Sequence, residues 1–270
     1  MTIRLRNAHS SRLVLFVALL TIPAVVFAAG GRKRVPKFGE FNPDHKSVEM
    51  FEAIEKGDVE VTLIPKDSTE CRVMIKNKTK QPLNVKLPEA FAGVPVLAQN
   101  VNNNRNNRNN NNSNQSFGGG MMGMGGMGMG MGGMGMGGMG MFNVPPEKVG
   151  NFKVPTVCLE HGKADPAPRK KYTIKPIATF TDKKEVHELC RMLGTKRIGQ
   201  RAAQAAAWNL SNDMTWQELA AKRIEHANGT SEPYFAAAEI QVGMRLSQMA
   251  SVLAEKKRQA SEKSESTTTQ

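Results

Sequence analysis

The stretch from Asn100 to Met141 constrains this chain more than any other. It opens as an asparagine run broken by Arg105 and Arg108, and from Gly118 onward it is almost pure methionine and glycine. That methionine–glycine part has no aromatic or β-branched surface to bury. Each glycine also loses the most backbone entropy on ordering, so the segment is not expected to fold alone. Strand-like runs precede the tract and another begins at Phe142. Residues 100–141 therefore read as a disordered insertion in a module that closes across it.

The chain begins with an address. Arg4, Arg6 and Arg12 form a basic region ahead of the apolar run Leu13 to Phe27, and Val26 and Ala28 suit cleavage after Ala28. The run is short for a spanning helix and contains Pro23. Residues 1–28 are read as a signal peptide, and no later stretch is apolar enough to span a bilayer. The expected product is exported: periplasmic, envelope-associated or extracellular. Residues 29–47 form a basic linker with Arg32, Lys33, Arg34, Pro36 and Pro43.

A formal net charge of +13 raises nucleic acid as a partner. Export weakens that idea, and stacking aromatics are lacking, so no nucleic acid is expected. The excess charge is read as a solvated face, with an anionic envelope component or another envelope protein as the partner.

Between residues 48 and 178 the apolar period is two. Ser47 is expected to cap a short helix through Ile54 and Glu55. Val59 to Leu63, Cys71 to Lys76, Leu83 to Leu87, Val94 to Leu97, Phe152 to Leu159 and Tyr172 to Ile177 are then strand-like. Alternating strands with one polar face predict an antiparallel β-sandwich, Ig-like in general architecture. From 180 to 262 the period becomes helical. Asp182 with Glu185 and Thr215 with Glu218 look like capping boxes. The alanine-rich run from Arg197 to Leu210 allows close helix approach. The last helix is expected to turn Phe235, Ala238, Val242, Leu246, Met249 and Leu253 inward. The predicted fold class is α+β: a sandwich with a long disordered insertion, then a small helical bundle and a frayed tail at 263–270.

Three sets of residues carry candidate chemistry. Thioethers are soft ligands for Cu(I), and glycine spacing lets Met121, Met124, Met127, Met129, Met131, Met134, Met136 and Met139 gather round an ion. The tract equally suits a flexible spacer. No other cofactor is expected. In an oxidising compartment two of Cys71, Cys158 and Cys190 can pair, leaving one over. Cys158 stands beside Glu160 and His161, which raises an activated thiol, although neighbours on a strand point to opposite faces. No zinc spacing, phosphate-binding loop or nucleophile elbow is present.

One motif has a family likeness. Ala203-Gln204-Ala205-Ala206-Ala207-Trp208 resembles the Thr-Gln-x-Ala-x-Trp signature of thioester domains in bacterial surface adhesins, with Ala203 at the Thr position. The resemblance implies that the Cys158 thiol condenses with the Gln204 carboxamide, releasing ammonia, and that the acyl group later bonds a host nucleophile. The same residues also read as an ordinary helix core. The expected function is a non-enzymatic structural or protein-interaction protein of the envelope. A thioester adhesin and a Cu(I)-binding loop are the alternatives.

Overall fold

Period-two alternation is realised as strands in the computed structural model, which describes residues 39–96, 114–122 and 140–268. All lie in the unit Pro36–Gln270. In chain order the elements are β1 (Lys46–Glu49), α1 (Met50–Glu55), β2 (Val59–Pro65), β3 (Glu70–Asn77), β4 (Leu83–Lys86), β5 (Phe91–Pro95), β6 (Phe117–Gly119), β7 (Met141–Val144), β8 (Val149–Cys158) and β9 (Tyr172–Pro176). A 3-10 turn (Ile177–Thr179) leads to α2 (Lys184–Gly194), α3 (Gln200–Asn212), α4 (Trp216–Ala221), β10 (Arg223–Glu225), β11 (Ser231–Pro233) and α5 (Ala237–Thr268).

The strands do not make the expected Ig-like sandwich. They close into an antiparallel barrel in the order β2-β3-β8-β6-β5-β9. Strand β9 pairs along β5 and meets β2 at Tyr172 opposite Leu63. Alternation dictates one buried and one wet face per strand, which a sandwich and a barrel satisfy equally. Closure depends on β6, and β6 lies inside the tract read as a disordered insertion. Phe117, Gly118 and Gly119 pair with β5 on one side and β8 on the other, all buried. A small barrel fills its interior with side chains. Here Leu63, Val73, Ile75, Phe91, Phe117, Phe152, Val154 and Met121 belong to that core.

The glycines after Phe117 are placed by contact. A Cβ on Gly118 would run into Cys190 Sγ of α2. One on Gly120 would sit 2.6 Å from the Glu89 carbonyl oxygen and collide with the Cys190 carbonyl, and one on Gly194 would sit 2.7 Å from the Gly120 carbonyl oxygen. Helix α2 thus lies on β6 backbone to backbone.

The helices are likewise no separate bundle. Helices α2 and α3 lie on the barrel strands and α5 packs across both, so Val157 and Leu159 share one core with Leu189, Cys190, Leu193, Ala203, Ala206, Leu246 and Ala250. In α5 the inward face is Ile240, Gly243, Leu246, Ala250 and Ala254, while Val242 and Met249, expected inside, are 41% and 51% exposed. Small residues win because they allow closer approach: a Cβ on Gly243 would stand 3.1 Å from the Ala202 carbonyl of α3. Buried Glu188 of α2 bonds Arg191 at 2.7 Å and Lys257 of α5 at 2.6 Å. The Thr215–Glu218 capping box forms as expected; the one anticipated at Asp182 does not, since α2 starts after Lys183 without a side-chain cap. A second sheet, β1-β4-β7, and the hairpin β10-β11 complete the fold. Among the described residues no helix is long and apolar enough to cross a membrane. The expected signal peptide, residues 1–28, falls outside the described residues.

Candidate functional site

The barrel wall ends at Cys158, the last residue of β8, and α3 crosses directly over it. On the β6 side pairing reaches Phe117 opposite Cys158, but on the other side the register with β3 ends at Glu70 opposite Pro155, which leaves main-chain groups of Cys158 to satisfy. Gln204 supplies them. Its Oε1 accepts the Cys158 N–H at 2.8 Å and its Nε2 donates to the Cys158 carbonyl at 3.0 Å, both buried. One carboxamide thereby imitates a strand neighbour. The Cys158 thiol donates weakly to the Ser68 carbonyl at 3.9 Å.

The structure therefore brings Cys158 and Gln204 together across 46 residues of sequence, through the main chain of the cysteine. Burial raises the Cys158 thiol far above its ordinary range, and the charges of Asp165 and Asp67 add to the effect. Nothing here favours thiolate. Cys71 is raised likewise, by burial and then Glu70, and burial pushes Cys190 up to about 12. All three cysteines are buried free thiols, so the anticipated pairing is not formed in this structure.

Glu160 and His161 take other partners than the thiol. Glu160 accepts the Ser116 N–H at 2.8 Å and pairs with Lys163. Burial alone would raise the Glu160 carboxyl, but its bonds to Lys163 and Ser116 hold it below the usual range. Gln115, next to it, donates to Asp165 at 2.6 Å, and Tyr172 donates its hydroxyl to the Gln115 carbonyl. These bonds clasp the start of β6 to the loop after β8.

His161 lies edge-on to Trp208 with ring centres 4.7 Å apart, and Trp208 also meets Tyr234 and Phe235. Lys222, at the end of α4, stands 3.0 Å from His161 Nε2 and over the Trp208 and Tyr234 rings. Arg201 covers the Tyr234 and Phe235 faces. Burial and then the Lys222 charge hold the His161 imidazole below its ordinary value. A neutral ring accepting from an ammonium fits that shift. Trp208 Nε1 is buried without a hydrogen-bond partner among the described residues.

Sequence reasoning singled out Cys158, Gln204, Trp208 and His161 but missed Lys222, Arg201 and Tyr234. The Lys-x11-Tyr spacing becomes meaningful only once β10 and β11 pair and return Tyr234 to Lys222, whose carbonyl accepts the Tyr234 N–H at 2.8 Å. The capping box before Trp216 signals where α4 starts, but no sequence signal marks its end at Ala221.

Of the candidate copper ligands, Met121 is fully buried in the barrel core. Met124, Met127, Met129, Met131, Met134, Met136 and Met139 lie outside the described residues. Among the described residues no three His, Cys, Asp or Glu side chains gather as a metal site. Compared with protein-family models, curated proteins and solved structures, the chain matches none.

Proposed function

We propose that this is a non-enzymatic binding protein of the cell envelope, exported by its first 28 residues, whose barrel and helices form a scaffold for an anionic partner. The observation that carries this reading is the double hydrogen bond between Gln204 and the Cys158 main chain. It commits the most chemically suggestive pair in the sequence to holding α3 on the barrel. The surrounding aromatics support the same role, since Lys222 and Arg201 already occupy their faces. The excess of basic residues supports an anionic partner.

A second reading attaches to the same pair, because Cys158 and Gln204 are in contact. Attack of the thiol on the Gln204 carboxamide carbon would form a thioester and release ammonia, giving the adhesin chemistry that the sequence resemblance implies. Intact mass of the exported protein, with and without methylamine, separates the two. An unmodified mass, unchanged by amine, supports the scaffold. Loss of about 17 Da, which methylamine converts to a gain of about 14 Da over the unmodified chain, replaces it with the thioester. Loss of about 2 Da would mean a disulfide after rearrangement of the buried thiols.

A further inference from the structure

The outer barrel wall carries a charge arrangement that its own packing does not explain. Arg72 in β3 and Lys153 in β8 are direct cross-strand partners, and both are exposed. Like charges so placed destabilise a sheet. Neither finds an ion pair among the described residues. Nearby Lys66 pairs, among the described residues, with half-exposed Asp67 at 3.6 Å. Lys196 follows α2 in a left-handed conformation (φ 58°), a helix-end position where glycine is the ordinary occupant.

These four cations line two adjoining grooves of about 470 and 420 Å³, which share Lys66, Glu70 and Lys153. Among the described residues Glu70 is the one acidic group lining either of them. The grooves thus form a continuous basic track across β2, β3 and β8.

We propose that this track binds an acidic polysaccharide, with carboxylates of successive sugars meeting the Arg72–Lys153 pair and the flanking Lys66 and Lys196. The proposal gives a partner class and a site to the binding role inferred above, and rests on it. Arginine suits the task because its planar fork matches a carboxylate. Other polyanions fit the walls less well. Strands β2, β3 and β8 are paired on both sides within a closed barrel, so no edge is open for an extended peptide to join. Among the described residues no aromatic lines the grooves, so nucleobases have nothing to stack on. The apolar lining is aliphatic, from Ile64, Pro65, Pro155 and Ile198, which suits the C–H faces of sugar rings.

The test is calorimetric titration of the full chain with polyuronate oligomers at two salt concentrations. Binding is expected, weakened by salt. Arg72→Glu should weaken it about tenfold or more, yet raise Tm, because a repulsive pair with Lys153 becomes attractive. Lys86→Glu, exposed on β4 outside both grooves, should change affinity by less than about threefold. Absence of binding, or equal loss in the two variants, overturns the site. Tighter binding of polyglutamate or single-stranded DNA overturns the ligand class. Oligomer length, followed by size exclusion in the same samples, tests the non-catalytic role separately: shortened oligomers remove that role and leave the groove standing.

Discussion

Strands β8 and β6 are hydrogen-bonded neighbours in one barrel, and they reach burial by opposite routes. Along β8, Phe152 and Val154 fill the interior while Asn151 and Lys153 face out, so side chains announce the strand. In β6 only Phe117 fills space; Gly118 and, just past the strand, Gly120 are buried because nothing larger than hydrogen fits beneath α2, while Gly119 is closed off by Phe91. The comparison teaches that a buried strand is selected either for what its side chains fill or for what their absence admits. Glycine beside Phe117 is here a packing residue, although by composition it is indistinguishable from the spacer-like run that follows.

The largest expected effect breaks that contrast directly. Gly120→Ala places a methyl between the Cys190 and Glu89 carbonyls, both backbone and unable to turn aside. A loss of about 3 kcal/mol or more is expected in urea melts, a large part of the stability of a domain this size. Gly118→Ala meets a side chain instead, so Cys190→Ala should restore part of its loss. A coupling of about 1–2 kcal/mol in the double-mutant cycle checks this.

Next in size is Gln204→Leu, which keeps the volume but strands the Cys158 N–H and carbonyl. A cost of about 2–3 kcal/mol is expected, read by the same melts. Acid should act more gradually. Burial pushes the Glu188 carboxyl upward, but hydrogen bonds from Lys257 and Arg191 outweigh it and hold it below the ordinary range. Its contribution is therefore complete above the ordinary glutamate value and lost as pH falls through the folded one. His161 adds to the same trend. Being held below its ordinary value, it favours the fold fully above about pH 6.5 and less as pH falls beneath that. Tm measured from pH 8 to 3 should drop in both windows, with the lower step reduced in Glu188→Gln. The smallest effect sharpens the other side of the contrast: Lys76→Thr on the wet face of β3 should stay within about 0.5 kcal/mol.

The legible parts of the fold were those written in large side chains. Alternation located β2, β3, β4, β8 and β9 to within a few residues, and the Thr215–Glu218 box located α4. Closure was not legible, because three-residue β6 has no alternation and hides at the head of a methionine–glycine run. Phe117, standing alone in polar and glycine-rich surroundings, was the one local sign of an anchor. The contact face of α5 is hidden for the same reason: Val242 and Met249 carry the larger side chains while Gly243, Ala250 and Ala254 face inward. At the candidate site the pairing of Cys158 with Gln204 was anticipated, but not its form. A motif places two side chains near each other; which atoms meet depends on where β8 ends, and that is a tertiary fact.

The most direct test of the closed barrel is amide hydrogen exchange across residues 114–122. The account predicts that Gly118 and Gly119 are protected nearly as strongly as Val73 in β3 and Val154 in β8, because all four lie in one cooperatively unfolding barrel. Exchange of Gly118 and Gly119 at the rate of an unstructured chain, with β3 and β8 still protected, would contradict it and return the segment to the role of a linker.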